Sequence, residues 1–164
     1  MRVVVPCTDL RPETAAALAR AGVPYGIVRM DGDDAYWRLL ASLWAAGETF
    51  AVVEQDIVIG PGTLQALEAC PGGWCAFGYP YLSAQAYYGL GCTKFAAPLL
   101  ARVPGAMERV AVMYDEGHPP KHWCRLDAWL TQVLTASGEK RCEHTPPAGH
   151  LHRYPAHGCV PGPP

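Results

Sequence analysis

Two rhythms of apolar positions alternate along the first third of the chain. Residues 3–7 (VVVPC), 25–29 (YGIVR) and 50–53 (FAVV) are short runs rich in β-branched and aromatic residues, the pattern of buried strands. Helical spacing fills the gaps. Tyr36, Leu39, Leu40, Leu43 and Trp44 stand at i, i+3, i+4, i+7 and i+8, which makes one apolar face, and Gly47 is placed to stop that helix. An earlier helix is predicted from Pro12 to Arg20, with Thr8-Asp9 as its cap, Pro12 in its first turn and Gly22 as its end. Strand, helix, strand, helix, strand requires crossover connections. The expectation is therefore an α/β architecture, a Rossmann-type mixed and mainly parallel sheet flanked by helices.

The second half is less regular. A short helix is predicted within 61–70 and a strand over 74–79. Gly89-Leu90-Gly91-Cys92-Thr93 leads into a helix predicted over 94–103. Its two glycines serve either close approach of backbone to a ligand or a tight turn. Residues 114–122 (YDEGHPPKH) read as an exposed loop. Leu126, Leu130, Val133 and Leu134 form another apolar helical face, ended by Gly138, with Asp127 near the start and off that face. From Pro146 the chain is rich in Pro, Gly and His. No internal repeat is evident, and residues 1–164 read as one compact domain whose 146–164 tail closes over the site.

One run carries chemistry. In Val52-Val53-Glu54-Gln55-Asp56-Ile57-Val58-Ile59, two acids stand two apart in an otherwise apolar segment. Residues i and i+2 of a strand point the same way, so Glu54 and Asp56 are expected to converge on one cation. Oxygen ligands suit a hard divalent ion such as Mg²⁺ or Mn²⁺. The plainer alternative is a strand ending at an acidic turn. In open α/β sheets, ligands bind at the carboxyl ends of strands; Glu54 and Asp56 lie at such an end, and so do Cys7-Thr8 and Met30-Asp31.

Composition narrows the classes. Half of the 164 residues are hydrophobic and the formal charge is −2, which argues for a folded chain without a broad basic surface. No run is long enough to span a bilayer, and the start reads as a first strand, not a signal peptide. Seven cysteines, an odd number without a Cys-x-x-Cys pair, suggest reduced thiols in a cytoplasmic protein. Cys124, Cys142 and His144 are conceivable zinc ligands, but their spacing fits no closed structural motif.

In order, these parts resemble the GT-A fold of nucleotide-sugar-dependent glycosyltransferases over most of residues 2–153. Residues 3–12 (VVVPCTDLRP) resemble the strand and loop beneath the nucleotide. Glu54-Gln55-Asp56 stands where the family has Asp-x-Asp, with Glu in place of the first Asp. Residues 89–95 resemble the acceptor-side glycine segment, Trp123-Cys124-Arg125-Leu126-Asp127 the segment bearing the base of inverting members, and Gly149-His150-Leu151-His152 the late segment supplying a histidine ligand.

The resemblance implies Asp127 as general base, and a metal held by Asp56 with His152 or His150 and, less directly, Glu54. It implies a nucleotide-sugar donor, by family frequency UDP-glucose, contacted by Thr8, Arg11, Asp31, Glu54, Gln55 and Arg153. It implies an acceptor contacted by Gly89, Gly91, Tyr88, Trp123 and Arg125. The chain is also similar to small bacteriophage glycosyltransferases that modify hydroxymethylated pyrimidines in DNA, which implies 5-hydroxymethylcytosine as acceptor and the host cytoplasm as location. Lys121, His122, Arg125, Lys140, Arg141 and Arg153 would then track phosphates, and Tyr87, Tyr88 and Trp123 would stack on a displaced base.

Other acceptors stay open: a protein, a lipid or a glycan. Two other classes stay open as well. A nucleotidyltransferase would want a glycine- and lysine-rich phosphate loop, which residues 7–11 lack. A non-catalytic binding module would keep the fold and turn nothing over.

Overall fold

The computed structural model describes residues 1–80, 85–113 and 121–151. In chain order the elements are β1 (Arg2–Cys7), α1 (Pro12–Ala21), β2 (Tyr25–Arg29), α2 (Ala35–Ala46), β3 (Phe50–Val53), β4 (Ile57–Val58), α3 (Thr63–Ala69) and β5 (Trp74–Phe77). There follow β6 (Tyr79–Pro80), β7 (Ala86–Tyr87), β8 (Cys92–Phe95), α4 (Ala97–Arg102), α5 (Ala106–Ala111), a 3₁₀ turn (Trp123–Arg125), α6 (Leu126–Ala136), β9 (Arg141–His144) and β10 (Gly149–His150).

The central sheet has six strands in the order β2-β1-β3-β8-β5-β9. β1 runs parallel to β2 and β3, and β5 to β9; β8 is antiparallel to both of its neighbours. The mixed, mainly parallel α/β sheet expected from the sequence is the one observed. Strand alternation sorts its residues onto two cores. Val3, Val5, Ala51 and Val53 face Ala17 and Leu18 of α1 and Leu64 and Leu67 of α3. Val4, Val52 and Phe95 face Leu40, Leu43 and Trp44 of α2, with α4, α5 and α6 completing that layer. Since α1 and α2 cover opposite faces, the β1–β3 boundary is where successive crossovers diverge, and its carboxyl edge is the crevice of an open α/β sheet.

Gly22 and Gly47 close α1 and α2 in left-handed conformation, at φ 65° and 70°, as their positions suggest. Three expectations need correction. Thr8-Asp9 does not cap α1; Arg11 holds the N-cap position without a side-chain bond, and Pro12 begins the helix. Lys94 and Phe95 are strand, not helix: β8 fills the gap between β3 and β5, pairing Phe50 with Phe95 and Cys75 with Lys94, and the helix starts only at Ala97. Glu54 and Asp56 do not lie in a strand, because β3 ends at Val53 and the chain turns, with the Ile57 N–H donating to the Glu54 carbonyl at 3.1 Å, before β4. Of the loop expected over 114–122, residues 114–120 lie outside the described residues. Among the described residues, no helix is long and apolar enough to cross a membrane.

Candidate active site

The turn after β3 sends its two acids to different partners, so it is not strand alternation that places them. Glu54 Oε1 accepts from the Tyr36 hydroxyl at 2.8 Å. Asp56 Oδ2 lies 3.4 Å from His150 Nε2. His150 arrives on β10, which pairs antiparallel with β4 and sets His150 opposite Ile57; the Leu151 N–H donates to the Asp56 carbonyl. On the other side of its ring, His150 Nδ1–H donates to the Pro80 carbonyl at 2.8 Å. That bond fixes the tautomer and aims Nε2 at Asp56, the arrangement by which a metal-ligating histidine is usually held. Burial by itself pulls the His150 pKa down, but the Asp56 carboxylate and the Pro80 carbonyl outweigh it and hold the value above the ordinary one.

Asp127 sits in the first turn of α6. Its Oδ2 accepts from the Tyr87 hydroxyl at 2.6 Å and its Oδ1 from the Ala128 N–H at 2.7 Å. Burial raises its pKa, and these two bonds and Arg125 only partly restrain the rise. A carboxylate held by fixed bonds and with a raised pKa is suited to accept a proton. Glu54 stands between the two halves. Its carboxyl is pushed up to about 8 by burial first and then by the charge of Asp56, with Asp127 adding to the rise and Tyr36 and His150 opposing it. Three carboxyl groups thus share one electrostatic neighbourhood, closed by Tyr36 and Tyr79, whose own hydroxyls are raised well above the ordinary range by burial and by Glu54.

The Glu54 shift has a definite sign. A pKa near 8 in the folded chain, against about 4.3 in the unfolded one, gives stability that is full at low pH and lost as pH rises through 8. We expect Glu54→Gln to abolish that loss. At about 1.4 kcal/mol per pKa unit, the variant should outlast the wild type by as much as about 5 kcal/mol above pH 8, and the two should match near pH 4. Thermal melts of metal-free protein across that range check this. Parallel curves would mean that Glu54 is already ionised in the folded chain.

Gln55 organises the edge beside the acids. Its Oε1 accepts from the Thr8 N–H at 2.7 Å, the Asp9 N–H at 3.0 Å and the Thr8 hydroxyl at 3.2 Å, while its carbonyl accepts the Arg11 N–H. The β1 loop is thereby tied to the acidic turn, which accounts for the missing helix cap. Arg11 is half-exposed, 3.3 Å from Asp9. Asp31 lies beyond the end of β2, exposed, with its carbonyl receiving Arg38.

On the opposite side, the predicted residues separate. At Gly89, a Cβ would meet the Tyr79 hydroxyl at 2.5 Å, the Tyr87 ring at 2.6 Å and Asp127 Oδ2 at 2.8 Å; at Gly91 it would meet the Tyr79 ring at 2.6 Å. The glycines make room for the protein's own site walls. Tyr87 faces Asp127, whereas Tyr88 packs under Arg141, whose guanidinium carbon is 5.2 Å from its ring centre. Trp123 is 44% exposed and stacks on His122, with Arg125 two residues on. Of the basic residues expected to gather, Arg141 bonds Glu143 and the Tyr88 carbonyl. Lys121 lies over the Trp37 ring and His122 near Asp33. His152 and Arg153 lie outside the described residues. Tyr36 and Tyr79 escaped the sequence reading. The signal for Tyr36 was its place at the end of an apolar helical stripe, where a ring packs and a hydroxyl reaches out.

Asp56 and His150 could hold a divalent cation: they present an oxygen and a nitrogen from adjoining backbone, with the imidazole already braced on its far side. A mixed carboxylate–imidazole set accepts Mn²⁺ or Mg²⁺.

No family model and no curated protein matches the chain. Among solved structures, it is similar to a glycosyltransferase involved in the glycosylation of the major capsid of PBCV-1. The TM-score is 0.54 over 92% of this chain and 93% of that one, at 9% identity. The two chains share a fold. At that identity the likeness concerns architecture alone.

Proposed function

We propose that the chain is an inverting glycosyltransferase of GT-A type that moves a hexose from a nucleotide sugar to a hydroxyl acceptor. The observation that carries this reading is the pairing of two unlike groups at one sheet edge. Asp56 and His150 form a cation site, and Asp127 is a proton acceptor with a raised pKa, with Glu54 sensing both. The shared fold with a glycosyltransferase supports it. With Mn²⁺ or Mg²⁺ held by Asp56 and His150, the charge of the departing diphosphate would be neutralised. Thr8, Asp9 and Arg11, held by Gln55, form the nucleotide side. The acceptor oxygen bonds to the anomeric carbon, the bond from that carbon to the diphosphate oxygen breaks, and the hydroxyl proton passes to Asp127.

For the donor we take UDP-glucose, and for the acceptor 5-hydroxymethylcytosine in DNA. Tyr87, bonded to Asp127, and Trp123 are exposed aromatics, suited to stack on a flipped nucleotide, and Lys121, His122 and Arg125 lie on the same segment as Trp123, where phosphates would pass. A protein-linked glycan is the second reading, favoured by what the PBCV-1 enzyme does. Nucleoside mass spectrometry decides. Protein, both metals and a panel of nucleotide sugars are incubated with DNA bearing cytosine or 5-hydroxymethylcytosine. A hexose mass on the hydroxymethylated base alone is expected. Metal-dependent release of nucleoside diphosphate with unmodified DNA would move the acceptor to the glycan class. No turnover with any donor would overturn the catalytic reading.

A further inference from the structure

Away from this edge, the sheet face under α3 gathers three thiols and an imidazole. The pairing of β8, β5 and β9 puts Lys94 opposite Cys75 and Cys75 opposite Cys142, one row across three strands. Two residues along β9, on the same face, His144 stands opposite Phe77 and stacks on its ring at 5.0 Å. Cys70 enters from the end of α3, and the loop 70–75 turns back so that the Cys75 and Cys70 sulfurs lie 3.0 Å apart. The ligand atoms of Cys70, Cys75 and His144 all fall within 4.8 Å of one another. Cys142 lies beside the group, its sulfur and that of Cys75 both crowding the same side of Gly72. Gly72 is the knuckle. A Cβ there would collide with the Cys142 sulfur and reach 3.1 Å from that of Cys75.

Two further observations point to an ion. The buried Nε2 of His144 has no hydrogen-bond partner among the described residues, a cost that a coordination bond removes. Lys94 is 2% exposed, and its ammonium has only the Cys70 carbonyl as a bonded partner there, with no carboxylate among the described residues. A buried ammonium needs a countercharge. Three thiolates and a neutral imidazole around Zn²⁺ carry a net charge of −1, which Lys94 cancels.

We propose that Cys70, Cys75, Cys142 and His144 bind one structural Zn²⁺. Bond lengths of about 2.3 Å to sulfur and 2.0 Å to nitrogen need ligand atoms spaced slightly wider than the Cys70–Cys75 gap, so the thiolates part a little around the ion. Burial raises the Cys70 thiol, but bonds from Cys75, Gly72 and Cys142, with Lys94 nearby, bring it below the ordinary value, while burial and Cys70 push Cys75 up to about 12. Zn²⁺ displaces the thiol protons, so affinity falls as pH falls. The ion ties α3, β5 and β9 together, and β9 leads directly to the strand that carries His150.

The test uses full-length, untagged protein purified under reducing conditions without chelator. Elemental analysis should give about one zinc per chain. Exchange into Co²⁺ should give the thiolate-to-metal charge-transfer bands and intense visible bands of a tetrahedral sulfur site, which a carboxylate–imidazole site cannot produce. Cys142→Ser and His144→Ala should lose about tenfold or more in retained zinc, His144→Cys should recover it, and Cys7→Ser should keep it. Should the serine variants not fold, the wild-type cobalt spectrum and the His144 pair decide. A zinc-free wild type without cobalt bands would overturn the proposal. So would a Cys70–Cys75 disulfide in the purified chain, or zinc retained equally by Cys142→Ser and His144→Ala.

Discussion

Asp127→Asn should bind nucleotide sugar as the wild type does and transfer roughly a thousandfold more slowly. The amide keeps the size of the carboxylate; its oxygen can still accept from the Ala128 N–H and its NH₂ can donate to the Tyr87 hydroxyl, so the walls of the site stay in place while the proton acceptor is lost. The defect belongs in kcat, with donor affinity unmoved. The wild-type pH profile should agree. Activity falls at acid pH as Asp127 is protonated, and because burial raises that pKa, the fall begins above the range of an ordinary carboxylate. Calorimetric donor binding set beside transfer rates separates the possibilities. Full transfer by the variant would remove Asp127 from the role of base.

Asp56→Ala should abolish metal-dependent donor binding, with an expected loss on the order of a thousandfold, since a cation at a diphosphate supplies several kcal/mol. A second consequence follows at His150. Without the carboxylate the imidazole loses its strongest raising influence, and its pKa drops from its raised value. Its NMR titration would report the change independently of activity. Nucleoside diphosphate titrated with and without Mn²⁺ gives the main result, and unchanged metal dependence in the variant would place the cation elsewhere.

What could be read from the sequence was whatever is set locally. The α2 stripe, the three leading strands and the glycine stops follow from spacing and backbone preference within a few residues, and each lies where its pattern put it. Tertiary pairing decided the rest. Lys94 reads as helical because a charged residue is out of character in a buried strand; β8 forms regardless, since only that segment fills the gap between β3 and β5. Glu54 and Asp56 sit on a turn whose partners, Tyr36 and His150, come from distant segments. Cys70, Cys75, Cys142 and His144 meet only because β5 and β9 pair; the sequence brought Cys142 and His144 to notice beside Cys124, and offered no sign of Cys70 and Cys75. Asp127 stands off an apolar helical face, which is a local property, but its candidacy as base comes from the resemblance of its segment.

The place of β8 also sets the order in which the sheet can be built. β1, β2 and β3 are neighbours made early and in sequence, yet the inner flank of β3 is covered only by β8, a segment that follows β4, α3, β5, β6 and β7. Until residues 92–95 arrive, the N-terminal half has an unpaired apolar edge, a surface on which nascent chains can associate. Closing it requires non-local pairing, which is intrinsically slow. Assembly of the sheet should therefore be all-or-none across the β3–β8–β5 junction, and a fragment ending before β8 should aggregate instead of folding as a half-domain.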